Sequence, residues 1–218
     1  MTLIAISDGP TFLLCNDHLA YAMRVSPEGL LEHLAFGPPL RVPPAPAEPT
    51  LRHCTVMLEG HDRLSLNDRA QEYPTAGQGD FSAPALHLIG SENSVLGLRY
   101  ASHKVLAGKP TVDGLPTARE DGAQTLCITL EDHVQQVEVD LFYSIWADFG
   151  VIARRVEVRN NGETPLSLRQ VASTCVDFPP GDYDVQHFFG SWAREFNDER
   201  LPLPTGRFTL DSRRGTSS

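Results

Sequence analysis

The chain has 218 residues, enough for one large domain or two small ones, and a hydrophobic content of 41% supports a sizeable core. Charged residues make up 21%, which excludes a disordered chain. The net charge of −10 speaks against a phosphate-binding role, because nucleic-acid-binding domains usually carry a basic face.

In chain order, IAISD, TFLLCN, AYAMRV and LLEHLAF read as short strands, separated by Gly, Asn-Asp and Pro-Glu-Gly turns. PEGLLEHLAF is the one segment with a competing reading, as a short helix. Residues 38–49, PPLRVPPAPAEP, hold six prolines. Proline cannot donate to a sheet ladder and prefers an extended form, so this run reads as a long surface connection. Residues 61–86 break the strand rhythm again and include QEYPTAGQGDFSAPAL, residues 71–86. Its prolines and glycines make it either a floppy loop or a fixed segment that places Glu72, Tyr73, Asp80 and Phe81 against something.

Strands resume with TLCITL, where Leu126, Ile128 and Leu130 share one phase. Val137, Val139, Leu141, Tyr143 and Ile145 repeat it, while Gln136, Glu138, Asp140 and Ser144 fill the other phase with Phe142 as the exception. A period of two predicts one face in and one face out. VIARRVEVRN follows, then Asn161-Gly162, a pair that tolerates positive φ, then PLSLRQVAST. This predicts a hairpin over 151–175. No stretch keeps a helical period over twelve residues. The whole reads as an all-β, largely antiparallel sandwich. DSRRGTSS ends the sequence with no closing strand, as in a chain cut before its next element.

Candidate chemistry is sparse. Cys15, Cys54, Cys127 and Cys175 have no metal-knuckle or redox spacing, and apolar surroundings make Cys127 and Cys175 reduced, buried thiols. The eight histidines show no ligand spacing, so no metal and no cofactor is expected. No nucleophile elbow and no phosphate loop occurs, since AGQGDF lacks a lysine and a following helix. Asp182 and Asp184, or Glu131 and Asp132, could pair as glycosidase carboxylates, yet Gly-Asp-Tyr-Asp after two prolines reads more simply as a turn. Trp192, Arg194 and Glu195 could stack on and hydrogen-bond a sugar, or be a core tryptophan beside a surface ion pair. Arg63 and Asp80 flank Glu72-Tyr73-Pro74, and rigid polar loops on a β scaffold often carry binding groups. The N-terminus lacks a basic region and a long apolar run, and no window spans a membrane, so the expected address is the cytoplasm.

Taken in order, GLLEHLAFG, DRLSL, QEYPTAGQGDFSAPA, LRYASHKVLAGKP, GLPT, TLCITLED, VIARRVEVRNNG, DFPPGDYD, GSWARE and SRRGTSS form a recognisable series. From about residue 11 to 218 the chain resembles the N-terminal domain of the large α-galactosidases, the melibiases of glycoside hydrolase family thirty-six. Two departures stand out. The family usually reads Asp-Phe/Tyr-Arg-x-Pro where this chain has Ser82 in place of the arginine, and Pro116 passes directly to Thr117 where an alanine usually intervenes.

The resemblance implies a single β-supersandwich domain of the galactose-mutarotase-like type over 1–218. A catalytic (β/α)8 barrel is expected after residue 218. The full enzyme would hydrolyse terminal α-galactosides of the melibiose and raffinose type with retention, using two aspartates on the barrel. This chain would then hold no catalytic residue, and alone it would be inactive. It would serve assembly of a homo-oligomer and shaping of the substrate pocket. Asp62, Arg63, Trp192, Arg194 and Glu195 are the candidate substrate contacts, possible in a neighbouring subunit's pocket, and Glu72, Tyr73, Asp80 and Phe81 the loop or interface residues. Two other readings stay open: a free-standing carbohydrate-binding sandwich stacking sugars on Trp192 and Tyr73, and a sugar-epimerising enzyme, which would need an acid–base pair in one groove. No nucleic-acid or membrane partner is expected.

Overall fold

Four short strands open the chain: β1 (Ile4–Ser7), β2 (Thr11–Cys15), β3 (Ala20–Val25) and β4 (Leu31–Gly37), paired in order as an antiparallel meander. The computed structural model describes residues 3–46, 65–89, 94–114, 117–118 and 121–211. The turns follow from local chemistry. Gly9 and Gly29 adopt left-handed backbone at φ 72° and 79° between β1 and β2 and between β3 and β4. Between β2 and β3, Asn16 Oδ1 accepts from the amides of His18 and Leu19, forming an Asx turn. PEGLLEHLAF is strand, not helix: Leu31 to Gly37 pair with β3 across a bulge. Leu31 and His33 are buried, and so is Glu32 between them, paired with Arg24 and Arg69.

After a 3-10 turn at Leu66–Asp68 come β5 (Leu86–Ile89), β6 (Arg99–Ala107), β7 (Ala123–Asp132), β8 (Val137–Trp146) and β9 (Ile152–Asn160). The last four make a second antiparallel sheet in chain order. The core lies between the two four-stranded sheets: Phe12, Leu14, Tyr21 and Met23 from one meet Leu126, Ile128, Leu141, Tyr143 and Ile145 from the other. Each fully buried aliphatic side chain contributes about 1.5–3 kcal/mol by leaving water. Asn16 also joins the layers, because its Nδ2 donates to the carbonyls of Trp146 and Phe149 at 2.7 and 2.8 Å.

Two sequence expectations are corrected here. The residues 151–175 do not form a hairpin. β9 pairs with β8, and β10 (Ser167–Val171) pairs with β5 instead. The Asn161-Gly162 turn exists, but Asn161 N donates to Gln136 O, which ties the turn to the β7–β8 connection. β9 ends its sheet with its other edge unpaired among the described strands, and the chain instead carries β10 to β5, where Gln170 Nε2 also donates to Pro84 O. The second correction concerns β8, which does not have one face in water. Asp140, Phe142 and Ser144 are buried along with Val139, Leu141 and Tyr143. On that second face Thr125 Oγ1 bonds both Gly108 O and Ser144 Oγ at 2.7 Å, and Lys109, Pro110, Val112, Thr117 and Ala118 border a groove of about 410 Å³ with Phe142, Arg155 and Glu157.

The described part of the proline-rich run, residues 38–46, forms no strand. Of the cysteines, Cys127 is buried and free, while Cys15 and Cys175 are free and half-buried; Cys54 lies outside the described residues. The chain divides into two compact units, 1–177 and 178–218. The second is built on an antiparallel hairpin of β11 (Asp184–Ser191) and β12 (Arg194–Pro202).

Candidate functional site

The segment 71–86 is fixed. Its base is laid beside β4: His33 N donates to Ala70 O at 2.7 Å and Glu72 N to Leu31 O at 2.9 Å. Tyr73 is 3% exposed, and its hydroxyl donates to Ala172 O at 3.0 Å. Thr75 Oγ1 donates to Leu96 O, and Ala85 N closes the loop on Pro74 O. The tip turns through three left-handed residues, Gly77, Gln78 and Gly79, at φ 104°, 55° and 81°. Glycine is needed at 77 on two counts, its φ and the Val95 methyl that would lie 2.7 Å from an added Cβ. Asp80 holds the outer end. Its Oδ2 accepts from Gln71 Nε2 at 2.7 Å, and its Oδ1 accepts from the amide and the hydroxyl of Ser82. Phe81 beside it is 74% exposed.

Glu72 itself is fully buried. Its Oε1 accepts from Tyr21 Oη at 2.6 Å, Tyr143 Oη at 2.8 Å and Arg154 Nη1 at 2.5 Å, and His33 Nδ1 lies 3.2 Å from Oε2. The guanidinium of Arg154 sits 4.0 Å over the Tyr143 ring. Burial raises both phenols well above the usual tyrosine value, and the Glu72 charge adds to it while Arg154 opposes it. Burial works against the Arg154 charge, but Tyr143, Glu72 and Tyr21 outweigh it and hold the guanidinium above its ordinary value. Arg154 Nε and Nη2 and His33 Nε2 are buried without a hydrogen-bond partner among the described residues. Asp177 lies at the rim: partial burial pushes its carboxyl up, His33 opposes this, and Glu72 and Asp80 add to it.

Of the loop residues expected from sequence, Glu72 and Tyr73 therefore face inward and are held by their own unit, while Asp80 and Phe81 are presented outward. Tyr73 offers no open ring for a sugar. Asp62 and Arg63 lie outside the described residues. Trp192, Arg194 and Glu195 form the tip of the β11–β12 hairpin. Trp192 is not a core residue, being 91% exposed. Glu195 Oε1 accepts from Ala193 N at 2.9 Å, and Asn197 Nδ2 donates to Arg194 O at 2.8 Å, which builds the turn. Ala193 and Phe196 are both left-handed there, at φ 62° and 56°.

One carboxylate of each candidate pair has a structural use. Asp132 accepts from the amides of Val134, Gln135 and Gly97, and Asp184 pairs with Arg200 at 2.7 Å. Among the described residues no group of three His, Cys, Asp or Glu is placed to hold a metal ion. Sequence reading missed Tyr21, His33, Tyr143 and Arg154. A signal for Arg154 exists: it occupies the inward phase of β9 with Ile152, Val156 and Val158, where an unpaired charge would be costly.

Known proteins share this fold. The N-terminal domain of glycosyl hydrolase family 36 matches residues 29–218. The α-galactosidase AgaA of Geobacillus stearothermophilus is 39% identical over 91% of this chain and 28% of its own. The bifunctional α-galactosidase/sucrose kinase AgaSK of Mediterraneibacter gnavus is 37% identical over 100% of this chain and 24% of its own. The crystal structure of the α-galactosidase AgaB of Geobacillus stearothermophilus superposes with a TM-score of 0.90 at 35% identity, over 98% of this chain and 30% of that one. The chain thus spans about a quarter to a third of the length of the relatives it matches.

Proposed function

The chain belongs to glycosyl hydrolase family 36 as its N-terminal domain, and from that premise we propose that it serves a retaining α-galactosidase as its non-catalytic β domain. The carrying observation is the coverage: nearly all of this chain aligns with only 24–30% of several α-galactosidases. In this reading a (β/α)8 barrel follows residue 218 and supplies both catalytic aspartates. Of the candidate carboxylates, Asp132 and Asp184 are engaged by amides and by Arg200, whereas a glycosidase needs two carboxyl groups free to face one bond.

The proposed role is assembly of a homo-oligomer and shaping of the pocket for terminal α-galactosides. A variant of AgaA, a relative of this chain, has been crystallised with raffinose. The residues offered for contact with the sugar or the barrel are Asp62, Arg63, Asp80 and Phe81 from the first unit, and Trp192, Arg194 and Glu195 from the hairpin tip. The enzyme is placed in the cytoplasm, and no helix among the described residues is long and apolar enough to cross a membrane.

In the complete enzyme, Arg63→Ala and Phe81→Ala should each raise KM for raffinose about tenfold with kcat within about twofold, the pattern of lost binding rather than lost chemistry. Unchanged KM in both would remove the pocket-shaping role. The exposed Trp192 ring favours a second reading, direct sugar binding by this chain alone. Calorimetry with galactose and raffinose separates the two, since the first reading expects no heat of binding from the isolated chain.

A further inference from the structure

Gln71 and Glu72 are neighbours in sequence and point to different ends of one device. Glu72 turns into the core, where Tyr21 and His33 reach it from one sheet and Tyr143 and Arg154 from the other. Gln71 turns toward the loop tip and donates to Asp80, and Asp80 in turn fixes Ser82 on the far side of Phe81. The Glu32–Gln71 bridge and the Glu72 N to Leu31 O bond hold the two residues in register with β4.

We propose that Glu72 is a positioning residue: anchored by both sheets, it sets through Gln71 the pose in which the loop presents Asp80 and Phe81. Stability is weak grounds for such a cluster, because apolar residues of similar volume often do as well as a buried ion pair. Charge-assisted bonds supply direction. Three donors converge on one carboxylate oxygen, so the base of the loop has one orientation rather than several. The functional meaning rests on the reading that this loop faces the sugar pocket; the clamp itself does not.

Hydrogen exchange of the 218-residue chain, read peptide by peptide, tests the clamp without any sugar. Glu72→Gln keeps the size and removes the charge. It should speed exchange of residues 78–84 roughly tenfold, as a local opening made easier, while the centre of β8, which exchanges on global unfolding, speeds only as far as the loss of unfolding free energy requires. Gln71→Ala, which cuts only the link to Asp80, should reproduce that loop effect with an unchanged melting temperature. Glu72→Gln combined with Arg154→Met removes both charges. It should recover the melting temperature while the loop stays fast, whereas a purely structural role would restore both together. If Glu72→Gln does not fold, Gln71→Ala and Tyr143→Phe decide. Wild-type loop exchange in the variants that fold, or a Gln71→Ala acceleration spread equally over the loop and β8, overturns the proposal. Failure of the pocket reading shows separately, in the kinetics of Phe81→Ala.

Discussion

Arg154 stands where a strand pattern calls for an apolar side chain, Glu72 is fully buried at the base of a loop, and each is tolerated because the other is there. Removing Arg154 alone leaves Glu72 buried with only phenol and imidazole partners. Arg154→Ala should therefore cost about 3–5 kcal/mol, the penalty of an uncompensated buried charge, measured by urea unfolding. A cost below about 1 kcal/mol would mean that the pair is hydrated in solution. Gly77 makes a sharper local case. Gly77→Ala must meet both a left-handed φ and the Val95 side chain, so it should destabilise by more than the roughly 1 kcal/mol of an unhindered left-handed alanine. At Ala193 the argument reverses. Its φ of 62° is free of strain only for glycine, and Ala193→Gly should slow amide exchange in the hairpin tip.

At the scale of elements, alternation and turn chemistry made most strands legible. β1 to β4 and β7 to β9 lie where short apolar runs and glycine turns placed them. The pairing of β10 was not legible. Asn161-Gly162 has the composition of a hairpin turn, but β10 pairs with β5 although β9 has an unpaired edge, and local sequence does not display that long-range choice. β10 is exposed along its whole length and carries no inward phase that would have marked its partner. The polar cluster was half legible. Glu72 stood out for its place in an unusual loop, while Tyr21 and Tyr143 looked like ordinary aromatic core residues until the structure brought their hydroxyls onto one oxygen. The same burial that hid them gives a test of the sheet packing. Leu141 lies fully buried between the layers, and Leu141→Ala should cost about 2–5 kcal/mol through lost transfer energy and the cavity left behind.

For the whole molecule, the buried tyrosines set an alkaline limit. Tyr21 and Tyr143 have phenol values raised by burial and by Glu72, and burial pushes Tyr73 up to about 12. An unfolded tyrosine ionises near pH 10. The folded state therefore binds more protons than the unfolded one above that pH. The stability from these three groups is complete below about pH 10 and is lost as pH rises toward the folded values. Unfolding free energy from urea titrations should fall steeply above about pH 10, and phenolate absorbance from the three residues should appear together with unfolding. Smooth phenolate titration near pH 10 in the folded state would contradict the packing described here.

The central claim is that this unit assists a galactosidase without performing its chemistry. The most direct measurement is hydrolysis of para-nitrophenyl α-galactoside by the 218-residue chain and, side by side, by a polypeptide that continues it through the length its relatives share. Turnover by the longer protein, with none by the chain alone, is the predicted result. Turnover by the chain alone would contradict it and would return Asp182, Asp184 and Glu195 to consideration as catalytic groups.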